Sequence, residues 1–310
     1  MLAPSMAADV PAARATFAPE QEIDPVATLS LLCRGALDPC SRRDGGTLWW
    51  ATRTPHGPAT LRIGREQRSV DAQAWGDGAA WLLARLPALI GADRPPLEAH
   101  GHPVLEAATR LHPGLRLPST GALTEALLPA VVEQRVSGLE ARRSWAGLVR
   151  LLGDPAPGPA GLLLPPDPAR VAALEDWDLH RLNLERQRGA TLRRVARRAA
   201  AIDRLAASEV PAAEVRRRLA AELPGVGVWT VAEAASRALG DEDAVSVGDY
   251  NLFKHVGLAL TGRPARDDAE MLRLLEPWAG RRALVALLLV AAVRMPRRAP
   301  RIAVRDFRSH

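Results

Sequence analysis

Leu223-Pro-Gly-Val-Gly-Val-Trp-Thr230 decides how this chain is read, together with Gly248-Asp-Tyr250, whose Asp249 follows Trp229 by twenty residues. Ala212 to Glu222 reads as a helix. Pro224-Gly225 ends it, and Gly227 lets the backbone turn without a Cβ clash. Trp229 then begins another helix. The first N–H groups of a helix lack intrahelical partners, and the helix dipole favours an anion beside them, so a phosphate is a good occupant. Taken by itself, Pro-Gly-x-Gly is equally an ordinary helix–turn–helix corner. Asp249 also has two readings. It follows a short extended piece and Gly248 and precedes a helix, so it either caps that helix or is presented to a ligand. Both signals at this spacing pair a backbone turn that can hold a phosphate with a single presented carboxylate.

Composition fits that reading. The chain has 310 residues, 47% of them hydrophobic, which is enough for one large or two modest globular domains. A net charge of +6 and a pI near 10.6 favour an acidic partner, nucleic acid before a membrane surface. A GC-rich codon bias toward Arg, Ala, Gly and Pro explains the same numbers. Of the 41 basic residues only Lys254 is a lysine. Two cysteines, Cys33 and Cys40, make neither a metal cage nor a disulfide framework and read as free thiols. The longest apolar run, Ala283 to Val293, is half of the ~20 residues a membrane span needs.

Residues 1 to about 22 are expected to be a disordered leader without a signal peptide's charge and apolar pattern. Residues 23–103 are expected to form an α+β module. Leu48–Thr54 and Ala59–Ile63 read as strands about the turn His56-Gly-Pro58, and Trp81–Leu86 has helical periodicity. Residues 104–295 read as helical, with helices around 104–111, 120–136, 139–152, 168–175, 179–208, 212–222, 229–239, 250–260, 267–276 and 281–293. A Pro/Gly connector occupies 153–168, and 296–310 is a basic tail. The fold class is mainly α with an α+β N-terminal module. Arg193-Arg194 and Arg197-Arg198 stack on one helical face, either as a solvated surface or as a phosphate-facing stripe.

These stretches resemble the helix-hairpin-helix (HhH-GPD) superfamily of DNA glycosylases, and within it the 3-methyladenine DNA glycosylase II, or alkylbase, branch. The family pattern L-P-G-V/I-G-x-W-T, then D-Y about twenty residues after the Trp, is met by Leu223 to Thr230 and by Asp249-Tyr250. Leu127 to Arg143, with Gln134-Arg-Val-Ser137, is similar to the family's helix, Q-x-V-S loop and following helix. Leu48–Ile63 and Trp75–Trp81 are similar to the branch's small antiparallel-sheet domain. The resemblance covers roughly residues 25–295.

The resemblance implies a base-excision repair enzyme that bends duplex DNA, flips out an alkylated, 3-methyladenine-type base and cleaves its N-glycosidic bond. Asp249 would face the sugar and stabilise its oxocarbenium-like cation. Trp229, Tyr250 and Glu233 would line the base pocket. Gly225, Val226, Gly227 and Thr230 would hold the backbone, while Gln134 and Arg135 enter the gap left by the flipped base. Strand-nicking relatives carry a Lys where this chain has Trp229, and an indole forms no Schiff base, so a monofunctional enzyme without lyase activity is expected. Three features depart from the branch: Arg135 replaces an apolar wedge, Glu233 replaces an aromatic, and the last helix has no aromatics. Glu233 either favours cationic bases or faces solvent. A glycosylase for a deaminated or mismatched base and a non-catalytic DNA-binding module stand as alternatives. A cytoplasmic monomer, nucleoid-associated if bacterial, is expected, with double-stranded DNA carrying damaged bases as its partner and no membrane. No cofactor or metal is required; a monovalent cation at the hairpin turn is left open.

Other chemistries lack their residues. There is no His pair at helical metal spacing and no Gly-x-Ser-x-Gly elbow. Gly225-Val-Gly227 has no third glycine and follows no strand, which excludes a dinucleotide fingerprint.

Overall fold

The computed structural model describes residues 10–295. Five strands form one antiparallel sheet: β1 (Ala13–Phe17), β2 (Ser41–Asp44), β3 (Thr47–Thr54), β4 (Gly57–Glu66) and β5 (Ser69–Trp75), in the order β1-β5-β4-β3-β2. The expected hairpin is β3–β4, closed by a two-residue loop between paired Thr54 and Gly57. Three short helices belong to this module: α1 (Pro25–Ser30), α2 (Ala79–Ala84) and α3 (Leu86–Leu89). Side chains alternate across a strand. In β3, Leu48 and Trp50 therefore pack toward α1–α3, while Trp49 and Ala51 face the other way. The Pro/Gly connector covers that second face, laying Ala160, Leu162 and Leu164 against Trp49 and Trp75.

One boundary needs correction. β1 lies inside the segment expected to be a disordered leader. Its five residues pair in register with Val70–Ala74 of β5, closing an edge that would otherwise expose unpaired backbone groups. The sheet module thus begins by residue 13, not 23. Residues 1–9 and the basic tail 296–310 lie outside the described residues.

Among the described residues twelve further α-helices follow: α4 (Pro103–Leu111), α5 (Leu123–Val132), α6 (Gly138–Leu152), α7 (Pro168–Ala172), α8 (Asp176–Arg181), α9 (Arg186–Arg197), α10 (Ala199–Ala206), α11 (Ala212–Glu222), α12 (Val228–Ala238), α13 (Leu252–Thr261), α14 (Asp268–Leu275) and α15 (Arg282–Ala292). Beyond residue 104 the only described β-type pairing is an isolated bridge, Pro155 with Leu163. The single helix expected over 179–208 is three helices. It breaks at Asn183, which takes a left-handed φ of 60°, and again at Arg198.

The helices bury two separate cores. One joins α5, α6, α9, α11 and α12 through residues such as Leu127, Trp145, Leu192, Leu219 and Val231. The other joins α4, α13, α14 and α15 through Leu105, Val256, Met271 and Leu284. The hairpin belongs to the first and the Asp249 helix to the second, so the motifs meet where the two cores meet.

Candidate functional site

The hairpin is anchored from below. Leu223 and Val226 are 3% and 2% exposed and seat both ends of the turn in the first core. Gly225 has φ +89°, and a Cβ there would lie 2.2 Å from Thr191 Oγ1, so the fold itself demands glycine. Gly227 differs. Its φ of −88° suits any residue, and a Cβ would meet nothing within 4 Å. Side chains brace the carbonyl side of the turn. Arg194 Nη1 donates to Pro224 O at 2.7 Å, and Gln134 Nε2 donates to Gly225 O at 2.9 Å and to Thr230 Oγ1 at 2.7 Å. The first intrahelical bond of α12 runs from Val231 N–H to Gly227 O, leaving the N–H groups of residues 228–230 outside the ladder.

Asp249 stands beside this turn. Gly248, at φ +94°, comes so close to α12 that a Cβ on it would touch Trp229 Cβ at 4.0 Å. Asp249 Oδ1 accepts from the N–H groups of Asn251 at 2.7 Å and Leu252 at 2.8 Å, which caps α13. The cap uses one carboxylate oxygen and holds the group's orientation; no hydrogen bond to the other oxygen is seen among the described residues. Trp229 is half-buried and Tyr250 is exposed. Lys254 Nζ sits 3.4 Å from the centre of the Tyr250 ring, so one face of that ring carries an ammonium rather than a base.

Glu233 neither faces solvent nor offers an unpaired charge. It lies one turn beyond Trp229 on α12, pairs with Arg237 Nη1 at 2.8 Å and accepts from the Ser246 hydroxyl. Burial pushes its carboxyl up, but the Arg237 charge and the Ser246 bond outweigh this and hold it below the usual range. Ser246 O in turn accepts from Asp249 N–H at 3.2 Å, so Glu233 is linked to the Asp249 segment. Arg237 also donates through Nε to Leu31 O, in the sheet module, at 3.0 Å. A second pair, Arg34 with Glu133 at 2.9 Å, lies nearby; Glu133 immediately precedes Gln134. Two carboxylates and two guanidiniums therefore form a wall of balanced charge.

Several expected roles change. The side chains of Val226 and Thr230 are buried, so only their backbone is available to a partner. Gln134 is a brace for the hairpin, not a projecting group. Arg135 does project: it is exposed, at a loop tip with φ +56°. Within the basic stripe, Arg193 is tied to Leu174 O and Asp176, and Arg194 to the hairpin, whereas Arg197 and Arg198 are exposed. Sequence reasoning missed Arg34, Glu133, Arg237 and Ser246. The Glu233–Arg237 spacing of four was a legible helix pair; nothing marked Arg34.

No family model matches the chain, and no curated protein matches it in sequence. Solved structures do. The 3-methyladenine DNA-glycosylase from Archaeoglobus fulgidus superposes with a TM-score of 0.72 at 15% identity, over 89% of this chain and 97% of that one. The 8-oxoguanine glycosylase/lyase of Clostridium acetobutylicum in its apo-form gives 0.67 at 11% identity, over 90% and 96%. The same enzyme in complex with double-stranded DNA gives 0.64 at 12%, over 82% and 87%. At these identities the likeness establishes the fold alone: an antiparallel-sheet module joined to a helical domain, as in these solved structures.

Proposed function

We propose that this chain is a DNA glycosylase of base-excision repair. The carrying observation is Gly227. The fold gives no steric or conformational reason for a glycine there, yet it lies at an N-terminus of unbonded N–H groups beside a carboxylate. Close approach of a phosphate to that backbone supplies the reason. DNA gripped this way would present a flipped nucleotide to Asp249, whose free oxygen stabilises the sugar cation as the base departs and water adds to C1′. A module that only bound DNA would gain nothing from a carboxylate near phosphates.

The reaction is monofunctional in this reading. Trp229 offers no amine, and the Nζ of Lys254 lies over the Tyr250 ring on the helix after Asp249 instead of at the hairpin position. A monovalent cation at the turn would have to compete with Arg194 and Gln134 for the Pro224 and Gly225 carbonyls. The lesion first indicated is an alkylated purine, from the motif resemblance and from the name of the Archaeoglobus neighbour. A second lesion class is favoured by the ion-paired wall, which replaces the aromatic cage suited to a cationic base.

The test is release of bases from methylated duplex DNA and from duplexes carrying single deaminated or oxidised bases, with strand breaks counted before and after mild alkali. Wild type should free a base and give breaks only after alkali. Asp249→Asn should lower release by about 10³-fold or more while DNA binding is unchanged or tighter. Turnover retained in Asp249→Asn would remove the assignment.

A further inference from the structure

The loop after α1 reaches both helices that carry the site. Leu31 O accepts from Arg237 Nε, near the end of α12, at 3.0 Å, and Arg34 Nη1 donates to Glu133, at the end of α5, at 2.9 Å. The loop is itself held. Arg34 N–H donates to the Asp38 carboxylate at 2.9 Å, and Asp38 also accepts from Cys40 N–H and the Ser41 hydroxyl. Gly35 takes φ +86°, and a Cβ there would lie 2.7 Å from Arg142 Cδ on α6. Further back on α5, Glu125 accepts from the Thr52 hydroxyl and Arg53 N–H of β3. The sheet module therefore grips α5 at two points. A small cavity lies between these contacts, with Arg34, Arg237, Glu125 and Trp145 among its walls; its enclosed space of about 40 Å³ suits water. A shift of the loop is thus passed to α5 rather than absorbed.

What Glu133 leads into gives this contact a use. Gln134 braces Gly225 O and Thr230, and Arg135 projects from the loop tip on a left-handed backbone, φ +56°. A residue with a side chain keeps that conformation only where its surroundings over-determine it. Arg34 on Glu133 and the hairpin on Gln134 fix the two residues before it. The Arg34 side chain is 9% exposed and that of Glu133 26%, and a pair so withdrawn from water gains little over apolar packing of the same volume. What it adds is direction, since the donors of a guanidinium are fixed in one plane. The neighbouring charges act with it. Burial pushes the Glu233 carboxyl up, yet Arg237, the Ser246 hydroxyl and Arg34 hold it below the usual range. Burial opposes the charge on Arg237 too, and Glu233 and Glu133 outweigh it. From Glu233 the bonds continue through the Ser246 hydroxyl, and Ser246 O accepts from Asp249 N–H.

We infer that Arg34 of the sheet module is a positioning residue: through Glu133 it sets the Gln134–Arg135 loop for entry into DNA, in register with the Asp249 carboxylate. Its effect is carried by the protein, not by a contact with substrate. The inference rests on the glycosylase reading and gives the sheet module a part in the reaction.

Base release is measured in single turnover on the duplex that wild type processes fastest, among methylated DNA and duplexes with one hypoxanthine, uracil or 8-oxoguanine. A 2-aminopurine beside the lesion reports flipping. Arg34→Met should slow release by about tenfold or more, since small misplacements in a site are costly, and should lower the fluorescence rise in step. Binding of undamaged duplex should stay within about twofold of wild type, because the backbone contacts of the hairpin are kept. Arg34→Lys, which keeps the charge, should recover part of the loss. Where Arg34→Met does not fold, Glu133→Ala removes the same contact from the other side and should give the same split between release and binding. The decisive variant combines Arg34→Met with Arg135→Ala. Losses from independent sites multiply, whereas a residue acting through the loop should slow Arg135→Ala by only about twofold or less. Multiplying losses, or wild-type release by folded Arg34→Met, would overturn the inference and leave the glycosylase reading standing. So would a loss of release matched by an equal loss of duplex binding, or of folded protein in denaturant melts. Release of no base by wild type from any of these duplexes would bring down the glycosylase reading and the inference with it.

Discussion

The hairpin at Leu223–Thr230 and the charged wall of Arg34, Glu133, Glu233 and Arg237 border the same cleft but are built in opposite ways. The hairpin comes from eight consecutive residues, and its shape follows from where two glycines and a proline fall. The wall comes from a loop of the sheet module, the end of α5 and one face of α12, and each charge is held by a residue from elsewhere or a turn away. The hairpin's shape is thus carried by local sequence, and the wall's pairing by long-range packing.

The wall should break harder than the hairpin. Arg237→Met leaves Glu233 partly buried with the Ser246 hydroxyl and, not bonded to it, the charge of Arg34, and should destabilise the protein by about 3 kcal/mol in denaturant melts. Glu233→Gln added to it should recover much of that loss; a double variant no more stable than the single would show that the pair is not the unit.

A pH effect should follow from the same interface. Glu125 on α5 accepts from the Thr52 hydroxyl and Arg53 N–H of the sheet module, and burial pushes its carboxyl up to about 7. Its folded pKa exceeds the unfolded one, so the proton-bound form stabilises the fold below an unfolded value of ~4.3, and that stability is lost as pH rises through about 7. Asp203, also pushed up by burial, adds in the same direction. The Glu125 contribution should be about 2 kcal/mol, less than the full shift because its carboxyl borders the cavity. Glu125→Gln should flatten Tm between pH 5 and pH 8; an unaltered slope would place the effect elsewhere.

The two hairpin glycines give the smallest and sharpest contrast. Gly225→Ala meets Thr191 and a positive φ, and should cost about 2 kcal/mol. Gly227→Ala should leave stability within about 0.5 kcal/mol of wild type, since its φ is ordinary and its surroundings open. It should nonetheless weaken duplex binding by about tenfold, because the new methyl group stands where a phosphate approaches. Equal binding by wild type and Gly227→Ala would leave that glycine without a ligand-based reason.

Much of this molecule was legible in the chain. Pro224, Gly225 and Gly227 act through their own backbone preferences, so the turn follows from them wherever it is placed. The β3–β4 hairpin and most helices likewise declared themselves by local periodicity. β1 did not, because Ala13–Phe17 is a strand only by virtue of pairing with β5, more than fifty residues away. Neither did the breaks in 179–208, where Asn183 departs from an otherwise helical pattern.

The sequence by itself determined the mainly helical class, the hairpin, the cap at Asp249 and the spacing between them, because each depends on neighbouring residues and short-range backbone sterics. Only the tertiary structure decided that Glu233 is paired instead of exposed, that Val226 and Thr230 turn inward, that Lys254 covers Tyr250, and that Trp145 holds an unmet donor over a cavity. Those outcomes depend on which distant charges and donors share a low-dielectric space, and that is set by how two helical cores and a sheet pack together.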